Sequence, residues 1–191
     1  QGVVYGTRYL DDLSRQVDPR SNTRFDVDAD FGTCINRFVA QAVAGQPLTV
    51  YGKGGQTRGY LPLCDSMQCL RLALENPPEA GEYRIFNQIE ETYSVNALAE
   101  AVRHVSPLPV QIDHIENPRV EAEEHFYEVK ADHLRDLGYQ SRHTMDRVLE
   151  TMFQDVIACE DRIDLNALIP SVRWSGKHAP CVPLETQEEA A

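Results

Sequence analysis

The feature that most constrains the fold of this chain is an alternation. Over the first 115 residues, short β-prone runs take turns with stretches whose apolar residues recur at three- and four-residue spacing. Gly2-Val3-Val4-Tyr5-Gly6 reads as a strand closed by glycine. Cys34 to Ala44, with apolar side chains at 35, 38, 39, 42 and 43, reads as an amphipathic helix ended by Gly45, and Pro47 to Tyr51 as the strand that follows it. A β-like run over 60–63 precedes a helix over Met67 to Leu74, which Asn76-Pro77-Pro78 stops. The spacing further predicts a strand over Tyr83–Asn87 and a helix capped by Ser94, with Val95, Leu98, Ala99 and Val102 on one face. A strand over Pro107–Ile112 and helices over 129–137 and 144–158, separated by Gly138, complete the pattern. Helices that alternate with strands specify an α/β fold: a few parallel strands of a doubly wound sheet, with a smaller mixed lobe forming one wall of a cleft. No internal repeat is present.

Charge and cysteine usage narrow the function. Eighteen Lys and Arg against thirty Asp and Glu leave a net charge of −12, which repels nucleic acid and anionic lipid. Apolar runs such as Leu70 to Leu74 are far shorter than the roughly 20 residues that span a bilayer. Neither nucleic acid nor membrane is therefore an expected partner. The five cysteines show no CxxC pair and no framework spacing, which points to a reducing compartment and small buried thiols. The six histidines form no HExxH and no i, i+4 pair, so no metal site is expected. Six aspartates between residues 7 and 31 read as a solvated polar segment.

The densest glycine cluster, Gly52-Lys53-Gly54-Gly55-Gln56-Thr57-Arg58-Gly59, lies between two β-like runs. It matches neither GxxxxGK[ST] nor GxGxxG, since Thr57 stands at the third glycine position. Two readings stand side by side: a hairpin turn, or a loop that lets backbone approach a ligand. Arginine is the side chain suited to a diphosphate, because its planar fork donates two hydrogen bonds and keeps its charge. Arg58, after the glycine turn, and Arg119, in the acidic run Glu116 to His125, are the two candidates. A surface ion-pair network with Glu121, Glu123 and Glu124 explains Arg119 equally well.

Four runs carry a resemblance. Gln1-Gly2-Val3-Val4-Tyr5-Gly6, Phe31-Gly32-Thr33 with Asn36-Arg37-Phe38, Pro47 to Leu61, and Asn117 to His125 resemble the UDP-sulfoquinovose synthase family. These are extended short-chain dehydrogenases/reductases of the NAD-dependent epimerase/dehydratase type, which act in sulfolipid biosynthesis. The resemblance runs from residue 1 to about residue 174, where Ile169-Pro170-Ser171-Val172-Arg173-Trp174 also fits, and it covers the C-terminal half of such an enzyme.

The resemblance implies a UDP-sugar site. Thr49, Val50 and Tyr51 would hold the uracil through their backbone, Arg58 with Gln56 nearby would contact the diphosphate, and Arg119 would clamp it. Glu121 would take the ribose hydroxyls, and Gln1 and Asn36 would face the sugar nucleotide. The family oxidises UDP-glucose with tightly held NAD, eliminates water, adds sulfite and returns the hydride. No tyrosine here has lysine four residues later, and no nicotinamide-binding glycine motif occurs. NAD and the catalytic Tyr-x-x-x-Lys are thus expected of the intact family, with no catalytic residue and no cofactor expected in this chain alone. The family's usual Leu-Asp-Ile-Arg-Asp stands here as Leu61-Pro62-Leu63-Cys64-Asp65.

Residues 1–174 are expected to form the UDP-sugar-binding part of the fold and 175–191 a disordered polar tail. The bare opening strand leads us to expect a segment before it, an N-terminal half that is a candidate separate chain, with homo-oligomerisation as another way to cover the exposed face. No signal peptide is seen, which fits a bacterial-type cytoplasm or a plastid stroma. The readings left open are a non-catalytic nucleotide-sugar binder and an assembly protein.

Overall fold

The computed structural model describes residues 2–10, 12–14, 33–117 and 129–168. Gln1, Arg119, Glu121 and the tail over 175–191 lie outside the described residues.

Among the described residues, five strands and five α-helices follow in the order β1 (Val3–Tyr5), α1 (Cys34–Val43), β2 (Leu48–Tyr51), β3 (Thr57–Pro62), α2 (Leu63–Glu75), β4 (Glu91–Ser94), α3 (Val95–Val105), β5 (Ile112–Ile115), α4 (Asp132–Asp136) and α5 (Met145–Ile157). Two sheets result. One has the order β1-β3-β4, with β1 parallel and β4 antiparallel to β3, and the other pairs β2 with β5 in parallel. Parallel neighbours need crossovers, and helices supply them here. The α/β expectation holds.

Helix boundaries follow their caps. Thr33, Ser94 and Thr144 each take extended backbone angles and accept a hydrogen bond from an N–H in the first turn of α1, α3 and α5. Gly45, past the end of α1, adopts φ +67°, the conformation glycine reaches without a Cβ penalty. The main core forms where these three helices meet: Ile35, Phe38, Val39, Ala42 and Val43 of α1 pack with Leu98, Ala99 and Val102 of α3 and Val148, Leu149, Met152 and Phe153 of α5.

Four expectations shift. The glycine cluster makes no hairpin: β2 and β3 lie in different sheets, and the partner of β2 is β5, some sixty residues on. Residues 83–87 form no strand, and Tyr83 and Ile85 are exposed. The pairing goes to Glu91–Ser94, where Tyr93 can pack its ring edge-on against buried Tyr60. The strand expected at 107–112 begins only at Ile112, since Pro107 and Pro109 have no N–H to give a ladder. Helix α2 starts at Leu63 rather than Met67, with Pro62 as its N-cap and Asp65 in its first turn. Cys64, at the position where the related motif has arginine, is buried in the main core.

The loop after β1 is tied to α5. Thr7 Oγ1 donates to Asp155 Oδ2 at 2.6 Å, while Arg8 Nε and Nη2 donate to Oδ2 and Oδ1 at 3.0 and 2.7 Å. Burial pushes the Asp155 carboxyl upward, but the Arg8 and Thr7 hydrogen bonds and the Arg8 charge outweigh it and leave the pKa below its ordinary value. A depressed carboxylate stabilises the fold above its unfolded pKa of about 3.9, and that contribution is lost as pH falls through the folded value. Asp155→Asn is therefore expected to melt below the parent at pH 6, with the gap narrowing as pH falls below about 4; a gap that does not narrow on acidification would contradict this.

Asp65 shows the opposite sign. Its carboxylate is fully buried at the start of α2, and Oδ2 accepts from the Ser141 hydroxyl at 3.2 Å and the Arg142 N–H at 3.4 Å. Oδ1 has no hydrogen-bond partner among the described residues. Burial raises its pKa, the two hydrogen bonds and His143 oppose that, and the Glu90 charge adds to it. A raised carboxyl favours the fold below its unfolded pKa, and that advantage disappears as pH rises through the folded value. Asp65→Asn keeps an acceptor for Ser141 and Arg142 and removes the buried charge. Its melting temperature is expected to gain on the parent between pH 4 and pH 7 in thermal scans; a constant difference would show that the charge is immaterial.

Candidate functional site

The polar face of α1 meets the end of β2. Cys34, Arg37 and Gln41, at i, i+3 and i+7, share that face, while the apolar residues between them enter the core. Gln41 is buried and grips Thr49 at two atoms. Its Oε1 accepts from the Thr49 N–H at 3.1 Å, and its Nε2 donates to Thr49 Oγ1 at 2.9 Å and to the Leu168 carbonyl at 3.1 Å. Arg37 takes the next two groups along. Nη1 donates to the Tyr51 hydroxyl at 2.6 Å and Nη2 to the Thr49 carbonyl at 2.8 Å, with the guanidinium carbon 4.3 Å from the Tyr51 ring centroid.

The turn that follows is held by α3. Gly52 and Gly54 adopt φ +58° and +70°. The Gly54 N–H donates to the Tyr51 carbonyl at 3.2 Å, and its own carbonyl accepts from the Asn96 N–H at 3.0 Å. Asn96 Nδ2 donates to the Lys53 carbonyl at 2.7 Å, and the Val95 N–H to the Gln56 carbonyl at 3.1 Å. The glycines are thus required by backbone angle and by the approach of α3. Gln56 is buried; its Nε2 donates to the Tyr51 carbonyl at 3.4 Å, and its Oε1 has no hydrogen-bond partner among the described residues.

On β3, Arg58 and Tyr60 share one face. Arg58 is half-buried, with Nη1 donating to the Thr57 carbonyl at 2.8 Å. Tyr60 is fully buried, edge-on to Tyr5 and Tyr93, and its hydroxyl lies 3.3 Å from Cys34 Sγ at the start of α1. Desolvation drives the Tyr60 pKa far up, the Cys34 thiol adds to this and Arg58 opposes it. The N-terminal turn of α1, the end of β2, Gln56 and the Tyr60–Arg58 face of β3 are therefore linked contact by contact.

Of the residues expected at the site, Thr49, Tyr51, Gln56 and Arg58 lie along this chain of contacts, while Asn36 stands in the first turn of α1 with its N–H donating to the Thr33 hydroxyl at 3.4 Å. Val50 differs: its side chain is in the core, and its backbone lies in the β2–β5 ladder opposite His114. The Thr49 backbone is committed to Gln41 and Arg37. These two residues were not among the expected ones; the signal for them is polar side chains at helical spacing on a face bounded by apolar ones. Among the described residues no three His, Cys, Asp or Glu side chains converge on a metal position, and no helix is long and apolar enough to cross a membrane.

No family model matches the sequence. The chloroplastic UDP-sulfoquinovose synthase of Spinacia oleracea is 46% identical over 177 residues, 91% of this chain and 36% of that protein. By sequence, the chain is a homologue of the UDP-sulfoquinovose synthases. The UDP-sulfoquinovose synthase of Sulfolobus acidocaldarius is 44% identical over 179 residues, again 91% of this chain and 44% of its relative. The chain thus spans less than half the length of these two synthases. Among solved structures, the UDP-glucuronic acid 4-epimerase of Bacillus cereus, in complex with UDP-glucuronic acid and NAD, superimposes with a TM-score of 0.60 at 21% identity, covering 83% of this chain and 43% of that one. That likeness establishes the fold: the Rossmann-like architecture of the epimerases, as the resemblance to the synthases implied.

NAD belongs to the epimerase complex; the described residues here do not fit it. A dinucleotide's pyrophosphate rests where a strand runs through a glycine turn into a helix N-terminus. The two direct strand-to-helix junctions, β3 to α2 and β4 to α3, carry Pro62 and Ser94 instead.

Proposed function

We propose that this chain is the UDP-sugar-binding, C-terminal part of a UDP-sulfoquinovose synthase-type enzyme, which converts UDP-glucose and sulfite to UDP-sulfoquinovose. The observation that carries this reading is the 44–46% identity with synthases over 91% of the chain. The chain of contacts from the start of α1 through the end of β2 to the Tyr60–Arg58 face of β3 supports it. In this reading the uridine lies against the Tyr51 end of β2, and Arg58 donates its fork to the diphosphate, helped by Arg119 from outside the described residues. Gln56 Oε1, buried and lacking a donor among the described residues, offers an acceptor beside Tyr51. Glu121 takes the ribose hydroxyls, and Gln1 and Asn36 face the sugar nucleotide. Hydride transfer and the Tyr-x-x-x-Lys chemistry fall to a segment outside this chain, whether the same polypeptide or a separate N-terminal half.

The experiment is an assay of the native gene product that contains this chain, supplied with UDP-glucose, sulfite and NAD, with products read by mass spectrometry. Formation of UDP-sulfoquinovose is expected. Conversion of UDP-glucose to another hexose irrespective of sulfite would overturn the sulfite part, and no turnover of any UDP-sugar would favour the non-catalytic binder.

A further inference from the structure

A buried arginine with no carboxylate beside it among the described residues requires an explanation, because burying a charge is costly unless it is paired or well solvated by hydrogen bonds. Arg37 is 8% exposed, and among the described residues its partners are neutral: the Tyr51 hydroxyl, the Thr49 carbonyl and the faces of Tyr51 and Phe38. Its Nε is buried with no hydrogen-bond partner among the described residues. Main-core residues of α1 flank it, yet the guanidinium is turned onto the last turn of β2, where it bridges one backbone carbonyl and one phenol two residues apart.

We infer that Arg37 is a positioning residue of the nucleotide site: its two-point grip on the Thr49 carbonyl and the Tyr51 hydroxyl sets the strand edge and ring against which the nucleotide's base lies. This rests on the UDP-sugar reading. The geometry explains why the residue is arginine. A planar fork with five N–H donors spans two acceptors at fixed separation while its face stacks on an aromatic ring, and a lysine ammonium does neither. Gln41 secures the other side of Thr49, so that the strand edge is fixed at its N–H, its hydroxyl and its carbonyl. Arg37 itself touches no reacting atom and acts through Tyr51 and Thr49.

The test is a titration of the purified chain and its variants with UDP and with uridine, by calorimetry or NMR line shape. Arg37→Gln and Arg37→Lys are both expected to weaken UDP at least about tenfold, and uridine by the same factor, because the loss is at the base and not at the phosphates. Tyr51→Phe, which keeps the ring and removes one acceptor, is expected to weaken UDP several-fold. Combined with Arg37→Gln it should add little further, since both act through one contact. Parental UDP affinity in Arg37→Lys alongside weak Arg37→Gln would show that charge alone matters and overturn the inference. So would a loss confined to UDP with uridine untouched, or parental affinity in both variants while Arg58→Ala is weakened. If the parent chain binds neither ligand, the UDP-sugar reading falls and this inference with it.

Discussion

Replacing Gly54 with alanine is expected to cost about 2–4 kcal/mol of stability and to lower the melting temperature by roughly 5–15 °C. A Cβ at this position would stand 2.1 Å from Asn96 Oδ1 and 2.6 Å from Val50 Cγ1, inside any real contact distance, and the residue already sits at φ +70°. Asn96 cannot simply swing away, because its amide holds the Lys53 carbonyl and its N–H the Gly54 carbonyl. Val50 is fully buried and equally fixed. Gly45 provides the control, at φ +67° with nothing within 4 Å of the added carbon, so Gly45→Ala carries only the backbone penalty of about 1 kcal/mol. Thermal unfolding of the two variants separates the terms. Equal melting temperatures would show that α3 does not press on the turn as the structure has it.

The second large effect concerns binding. Arg58→Ala is expected to weaken UDP about 10- to 150-fold, the loss of a charge-assisted, two-pronged contact to phosphate, while the melting temperature moves by no more than a few degrees. The small stability change follows from its half-buried position on β3, where Nη1 donates to the carbonyl of its sequence neighbour Thr57. Arg58→Lys keeps the charge and loses the fork, and an intermediate affinity is expected. UDP affinity unchanged in Arg58→Ala would remove the diphosphate from this face of β3.

How much of this was legible in sequence depends on how local each signal is. Helix α3 was read from Ser94 and the spacing of Val95, Leu98, Ala99 and Val102, because cap and core stripe lie within one element. Strand β2 was legible for the same reason. The glycine cluster leaves a hairpin and a ligand-approach loop equally open in the sequence, because adjacency says nothing of pairing, and the partner of β2 arrives only at Ile112. Tyr83 and Ile85 have strand propensity but no surface to pack on, so the strand forms eight residues later where Tyr60 waits. At the site, the run of glycines and Arg58 stood out as residue types. Arg37 and Gln41 did not, since two polar residues in a helix acquire meaning only when β2 places Thr49 and Tyr51 against them.

The most direct measurement is native mass spectrometry of the purified chain with UDP-glucose, and with ADP-glucose as the competitor that shares the sugar and diphosphate. The account predicts one UDP-glucose per 21.6 kDa chain, lost in Arg58→Ala, and no comparable ADP-glucose adduct. Equal uptake of both nucleotides, or of neither, would contradict a uridine site at the junction of α1, β2 and β3.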